Sequence, residues 1–216
     1  MDKLKAEAVK RCMRCGTCCR KGGPVLHYED MDILRHHHAE YAHLVTIRRG
    51  EPTFNPVTSA VEQAREEIVK VAGKGDAWEC FYYREEDSSC SIYEHRFLEC
   101  RLLKCWNPAE ILRVIGRNTI RRSDVMNRDD PLLPFIERQE KECPLEDLKG
   151  LIDEALSGGR KRKVFTKLVR LMQKDAAIRF TAFRDVGLRP EYERFVFGRP
   201  VRNIVRDAGL TISTAA

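Results

Sequence analysis

The stretch "VKRCMRCGTCCRKGG", residues 9–23, carries four cysteines within eight positions, in the order C-x-x-C-x-x-C-C. Thiols this dense are either a disulfide framework or a set of metal ligands, and the rest of the chain has to choose between them. Five further cysteines follow: Cys80, Cys90, Cys100, Cys105 and Cys143. Four of these lie in "CFYYREEDSSCSIYEHRFLECRLLKC", residues 80–105, so eight thiols form two tight groups with one left over. An odd total suits a metal site with a spare better than closed disulfide pairing. A purely structural account also exists. Cys12, Cys15 and Cys19 are spaced i, i+3, i+7, as small buried hydrophobes on a helix face would be. Cys18 points off that face, and the second group would then be coincidence.

The compartment points the same way. "MDKLKAEAVK" is charged throughout, unlike the apolar stretch of a signal peptide, and no apolar run reaches the roughly 18 residues that cross a bilayer. The expectation is a cytoplasmic protein in a reducing setting, where disulfides are disfavoured. The 216 residues, 43% of them hydrophobic, suffice for a real core. The net charge of +6 is uneven: from Gly159 onward 14 Lys/Arg face 5 Asp/Glu, leaving −3 for everything earlier. Such a tail is most simply a solvated helix face. Few aromatics interleave Arg121, Arg122 and the run Arg160–Lys163, so nucleic acid is not an expected partner.

Thiolate is the natural ligand of zinc and of iron–sulfur clusters, and short spacing lowers the entropy cost of gathering ligands. A zinc knuckle takes two cysteines from one C-x-x-C loop. A C-x-x-C-x-x-C run instead resembles ferredoxin loops, where one loop holds separate irons of a cluster. Gly16 sits where the chain must turn tightly. Four thiolates around Zn²⁺ or a 2+ cluster leave about two negative charges, which Arg14, Arg20, Lys21, Arg101 and Lys104 are placed to offset. Cys100 and Cys105 diverge by more than a right angle on an unbroken helix, so a helix boundary between them or two separate sites is expected. Cys143 precedes a proline, as remote cluster cysteines often do; it is an extra ligand or a solitary core thiol.

Local signals sketch the fold. Residues 1–11 read as a short helix, and "YEDMDILRHHHAEY" as helical after the Gly22-Gly23-Pro24 break. "HLVTIRRGEPTF" reads as a strand or extended arm, and "VEQAREEIVKVAG" as a surface helix whose second half could be a strand. "WECFYYREEDSSCSIY" reads as two short strands around a polar turn. Asn107-Pro108-Ala109-Glu110 predicts an N-cap, a first-turn proline and a capping Glu for a helix through "AEILRVIG". "PLEDLKGLIDEAL", "RKVFTKLVRLMQKDAAIRFTAF" and "PVRNIVRDAG" predict helices, with Val164, Leu168, Leu171 and Ile178 on the apolar face. The expected architecture is mainly α with a small irregular β-hairpin. It has a cysteine-rich, metal-centred domain over residues 1–156 and a basic helical segment over 157–216, with "SGGRKRK" as the boundary.

The residues also carry a resemblance. "CMRCGTCC" followed by "CSIYEHRFLECRLLKC" resembles the YkgJ-type cysteine-cluster family, zinc- or iron-chelating domains with a CxxCxxCC motif. Its pattern runs CxRCGxCC, an acidic middle, C-x-F-[LY], then C-x-IYE-x-R-P-x-x-CR-x-x-x-C. This chain matches at Cys12, Arg14, Cys15, Gly16, Cys18, Cys19 and Cys80, then at Cys90, Ile92, Tyr93, Glu94, Arg96, Cys100, Arg101 and Cys105. It departs at Phe97, where the family usually has proline. The resemblance implies metal chelation and says little about a reaction. Flagellin lysine N-methylase, a relative sharing the cysteine motif, adds methyl transfer as an alternative, and a structural zinc protein is another.

The remaining motifs are weaker. Gly73-Lys74-Gly75 lacks the rest of a phosphate loop. His36, His37 and His38 would radiate around a helix and read as solvated surface. His27 and His95 are better placed as ligands or donors to ligands. The expected metal ligands are Cys12, Cys15, Cys18, Cys19, Cys80, Cys90, Cys100 and Cys105. They would hold an iron–sulfur cluster, 4Fe–4S by spacing, or Zn²⁺, with metal ions and a protein partner or substrate as the binding partners.

Overall fold

The computed structural model describes residues 12–75, 77–157 and 162–212. The helix expected over 1–11 and most of the "SGGRKRK" boundary lie outside them. In chain order the elements are α1 (Thr17–Arg20), α2 (Met31–Arg35), β1 (Leu44–Ile47), β2 (Pro52–Asn55), β3 (Ala60–Gln63), β4 (Ile68–Val71), β5 (Tyr83–Arg84) and β6 (Ser89–Cys90). Then come α3 (Leu98–Leu102), α4 (Ala109–Leu112), α5 (Leu133–Glu142), α6 (Leu148–Leu156), α7 (Arg162–Val186), α8 (Glu193–Phe197) and α9 (Val201–Asp207). The mainly helical expectation with small antiparallel strand pairs holds. The chain groups into two compact units, each discontinuous in sequence: the segment up to Ala39 with Val71–Thr119, and Glu40–Lys70 with everything from Ile120.

The first unit is built of short elements. The predicted hairpin forms, with Tyr83 opposite Cys90 and Arg84 opposite Ser89. α3 ends at Leu102, between Cys100 and Cys105, the helix boundary that is one of the two alternatives their spacing allows. The helix expected through "AEILRVIG" is a single turn. Asn107 accepts from the Ala109 N–H at 3.2 Å, but Glu110 turns to Lys104 instead of capping. The backbone after Leu112 tightens into Val114-to-Ile111 and Arg117-to-Val114 turns, with Gly116 at φ 70°.

The second unit holds the longer helices. β1 is buried at all four positions and pairs with β4. β2 and β3 form a separate hairpin in which Phe54 faces Val61. "VEQAREEIVKVAG" is therefore strand in both halves, because cross-strand pairing overrides the helical propensity of its first half. Leu145, Leu148, Ile152, Val164, Leu168, Met172, Val201, Ile204 and Val205 form a buried cluster, each large side chain contributing about 1.5–3 kcal/mol. Val164, Leu168 and Ile178 are buried as predicted, and Leu171 packs at the cluster edge.

Farther along, the buried face of α7 turns polar. Asp175 accepts from Gln139 Nε2 (2.6 Å), Arg179 Nε (2.9 Å) and the Val201 N–H at the start of α9 (3.0 Å). Arg179 donates to the carbonyls of Phe197, Gly198 and Arg199. "FGRP" is thus a turn whose carbonyls feed one buried guanidinium. At Gly198, φ 67°, a Cβ would lie 2.7 Å from the Thr46 carbonyl oxygen. A second buried network joins Arg48 to Glu140, and Glu140 to Arg122, which also pairs with Glu67. Glu51 takes Arg199 at 2.6 Å.

Candidate metal centre

The first cysteine loop winds through two left-handed residues, Arg14 (φ 51°) and Gly16 (φ 71°), before the single turn of α1. Gly16 is required twice over. Its conformation disfavours a side chain, and a Cβ would lie 2.1 Å from the Tyr83 hydroxyl oxygen. Tyr83 is 1% exposed and braces the loop from β5. Arg20 Nη1 donates to its oxygen (2.6 Å), Arg20 Nη2 donates to the Cys15 carbonyl (2.7 Å), and the Tyr83 hydroxyl donates to Ser88 (3.3 Å). The Cys80 N–H donates to the Cys19 carbonyl at 2.8 Å. Two segments some sixty residues apart are thereby fastened backbone to backbone.

A second brace orients α3. Asp30, fully buried, accepts from the Leu98 N–H (2.7 Å) at the start of the helix that carries Cys100. Glu99 accepts from the Val25 N–H (2.9 Å) and faces His27 Nε2 (3.4 Å). His27 Nδ1 lies 2.8 Å from the Arg117 carbonyl, which can only accept, so that nitrogen carries hydrogen. Burial works against its charged form, yet the Glu99 carboxylate outweighs it and raises His27 above the ordinary range. Both ring nitrogens are engaged by protein partners, so of the two expected roles, ligand or donor to a ligand's surroundings, His27 is placed for the second: it positions Glu99, the neighbour of Cys100. Sequence reasoning missed Tyr83, Asp30 and Glu99. The one available signal was that Tyr83 falls on the last position of C-x-F-[LY].

None of the nine cysteines is in a disulfide. Cys18 and Cys19 stand 4.0 Å apart, sulfur to sulfur. The Cys19 thiol hydrogen bond pulls Cys18 down to about 6, against the effect of burial, while Cys19 is pushed up by the same partner. Cys19 also lies within electrostatic reach of Cys80 and Cys100. Burial raises Cys100, and Cys80, Cys90 and Cys18 add to the rise. Cys90 is raised by burial, which the nearby Arg96 and Arg84 counter only in part. Cys15 is lowered by the Thr17 hydroxyl, 3.2 Å away, and feels Cys18. Five thiols from both groups, Cys18, Cys19, Cys80, Cys90 and Cys100, therefore share one neighbourhood, with Cys15 attached through Cys18. Cys12 and Cys105 are exposed and joined to no other thiol among the described residues.

This donor set fits a thiophilic ion. Clustered thiols suppress one another's ionisation, and a cation among them removes that penalty. The five thiols run inward from the surface: Cys18 is exposed, Cys19, Cys90 and Cys100 are half-buried and Cys80 is buried, whereas the hydrocarbon cluster around Leu148 and Leu168 belongs to the second unit. Among the described residues no three Cys, His, Asp or Glu side chains stand close enough to hold an ion as they are. Cys143 belongs to the second unit, is fully buried, and is pushed up to about 11 chiefly by burial. It is the solitary core thiol of the two alternatives.

The charge-offsetting cations are largely committed to structure. Arg20 is the Tyr83 brace, and Lys104 pairs with Glu110. Arg14 and Arg96 both lie over the Tyr93 ring, at 4.4 and 3.8 Å from its centroid. Arg101 donates to the Arg96 carbonyl at 2.9 Å. The motif residues Arg14, Tyr93 and Arg96 thus clamp the first cysteine loop to the Cys90–Cys100 segment.

No helix among the described residues is long and apolar enough to cross a membrane. No curated protein and no solved structure matches the chain. A sequence model of one family does match, over residues 11–144, a span that takes in both cysteine groups. The chain belongs to that family, CxxCxxCC, described as "Putative zinc- or iron-chelating domain".

Proposed function

We propose that this protein binds its metal through the thiol neighbourhood of the first unit. Cys18, Cys19, Cys80, Cys90 and Cys100 form the main ligand pool, Cys15 stands beside them, and Cys12 and Cys105 are peripheral members. The observation carrying this is the 2.8 Å hydrogen bond from the Cys80 N–H to the Cys19 carbonyl, which joins the two cysteine groups beside the Cys18–Cys19 pair. Of the two metals in the family description, the C-x-x-C-x-x-C spacing supports an iron–sulfur cluster over zinc. Such a cluster supplies one-electron chemistry when bound; the chain's own residues hold the thiolates and set the charge around them. Arg84 and Arg96 beside Cys90 favour its thiolate form. Chelation is the function supported, in a redox or metal-handling role. Neither lysine methylation nor a purely structural zinc role gains support from the geometry.

The test is anaerobic purification from iron-supplemented cells, with measurement of bound metal, acid-labile sulfide and visible spectra. A brown, sulfide-containing protein supports the cluster, whereas a colourless protein carrying zinc refutes it while leaving chelation intact. Cys100→Ser should lose most of the metal and Cys105→Ser should keep most of it. Equal metal in both variants and the parent would refute the ligand pool.

A further inference from the structure

The histidine run plays no part in the thiol neighbourhood, and its placement differs from the helical expectation. α2 stops at Arg35, and His37 takes a left-handed φ of 56°. The rings of His36 and His38, which would diverge on a helix, lie with centroids 6.2 Å apart. His95, from the turn Tyr93–His95, lies flat against His38, with centroids 3.4 Å apart and planes within 7°. Three exposed imidazoles from two segments share one patch of the first unit.

Their chemistry is that of ligands. His36 Nδ1 lies 2.9 Å from the Asp32 carbonyl oxygen, which accepts only, so Nδ1 carries the hydrogen and Nε2 keeps its lone pair. A metal-binding histidine needs this tautomer-fixing bond. The His38 and His95 rings are in face-to-face contact, 3.4 Å between centroids, so a tilt of the two rings can bring one nitrogen of each towards the ~3.3 Å that two donors keep on a tetrahedral ion at about 2.0–2.1 Å. Two stacked imidazolium rings repel, so the stack needs a neutral member. Burial, then His95 and His36, hold His38 below the ordinary range, in the form that binds cations at neutral pH. Parallel rings do not yet converge on a point; because they are exposed, rotation of the side chains alone can tilt them together.

We propose that His38 and His95, with His36 as a third donor, form a second metal site for a borderline divalent transition ion such as zinc or nickel, separate from the thiols. Imidazole suits these ions, whereas magnesium and calcium demand oxygen ligands. The site differs from the thiol pool in ligand type and would fill after it.

The experiment takes the full chain as isolated, with its bound metal counted first, and titrates zinc under anaerobic conditions. Imidazole nitrogen resonances are followed in the same samples. The parent should bind one further zinc, with His38 and His95 shifting together. His38→Ala/His95→Ala should weaken that uptake at least ~10-fold, His36→Ala should weaken it less, and His37→Asn should leave it unchanged. All three variants change exposed side chains, and an unchanged count of as-isolated metal checks that the thiol neighbourhood is intact. No zinc beyond the as-isolated complement overturns the proposal. So does unchanged uptake in the double variant, or an equal loss in His37→Asn, the mark of general surface histidine binding.

Discussion

Gly16→Ala tests the brace between the two cysteine segments. At φ 71° an L-residue costs about 1–2 kcal/mol relative to glycine. The new methyl would also lie 2.1 Å from the Tyr83 oxygen, 2.5 Å from Cζ and 2.7 Å from Cε2. Tyr83 is 1% exposed and hydrogen-bonded to Arg20 and Ser88, so it has nowhere to retreat, and overpacking adds about 1–3 kcal/mol. The expected loss is about 2–5 kcal/mol. Both tryptophans, Trp78 and Trp106, lie in the first unit, so urea unfolding followed by tryptophan fluorescence reads that unit directly. Repeating the substitution in a Tyr83→Ala background removes the obstruction, so the two changes should couple by about 1–3 kcal/mol. If Gly16→Ala unfolds within about 0.5 kcal/mol of the parent, or its cost is the same without the Tyr83 ring, the brace is not what the glycine serves.

Cys143→Ala should leave the bound metal unchanged and cost about 1 kcal/mol of stability, since this thiol is buried within the second unit; a drop in metal content by elemental analysis would restore it as a ligand. Asp175→Asn removes one of the two carboxylates on the buried Arg179 guanidinium, at 2.9 Å, and leaves Glu193 at 3.0 Å, so it should cost about 1–3 kcal/mol in denaturant unfolding followed by circular dichroism; a loss under about 0.5 kcal/mol would contradict the network. Burial raises Glu140, but its bonds to Arg48 and Arg122 prevail and hold it below its ordinary 4.5. A carboxylate depressed in the folded state stabilises fully above pH 4.5, and that contribution disappears as pH falls through the lower folded value. Amide protection factors along Leu133–Glu142, with the intrinsic pH dependence of exchange divided out, should therefore fall below that pH, and less steeply so in Glu140→Gln. Glu51, raised by burial despite Arg199, acts in the opposite sense, so the difference between parent and variant is the quantity to read.

Residue spacing alone decided whatever depended on near neighbours in the chain. The two thiol groups, the Tyr83–Cys90 hairpin, and the amphipathic faces of α6, α7 and α9 follow from periods of 2 and 3.6 and from short loops. α5 and the single turn of α4 were not legible, because tertiary partners decided them; Lys104, for example, took Glu110 away from capping. Tertiary structure alone decided which thiols meet, that Gly16 rests on Tyr83, and that His38 stacks on His95. It also put 40–70 in one unit with 120–216. Each joins groups many residues apart, 63 in the case of Arg20 and Tyr83, and a local pattern holds no information about such a pairing. These contacts form only where burial and shape repay the entropy of closing the loop between them.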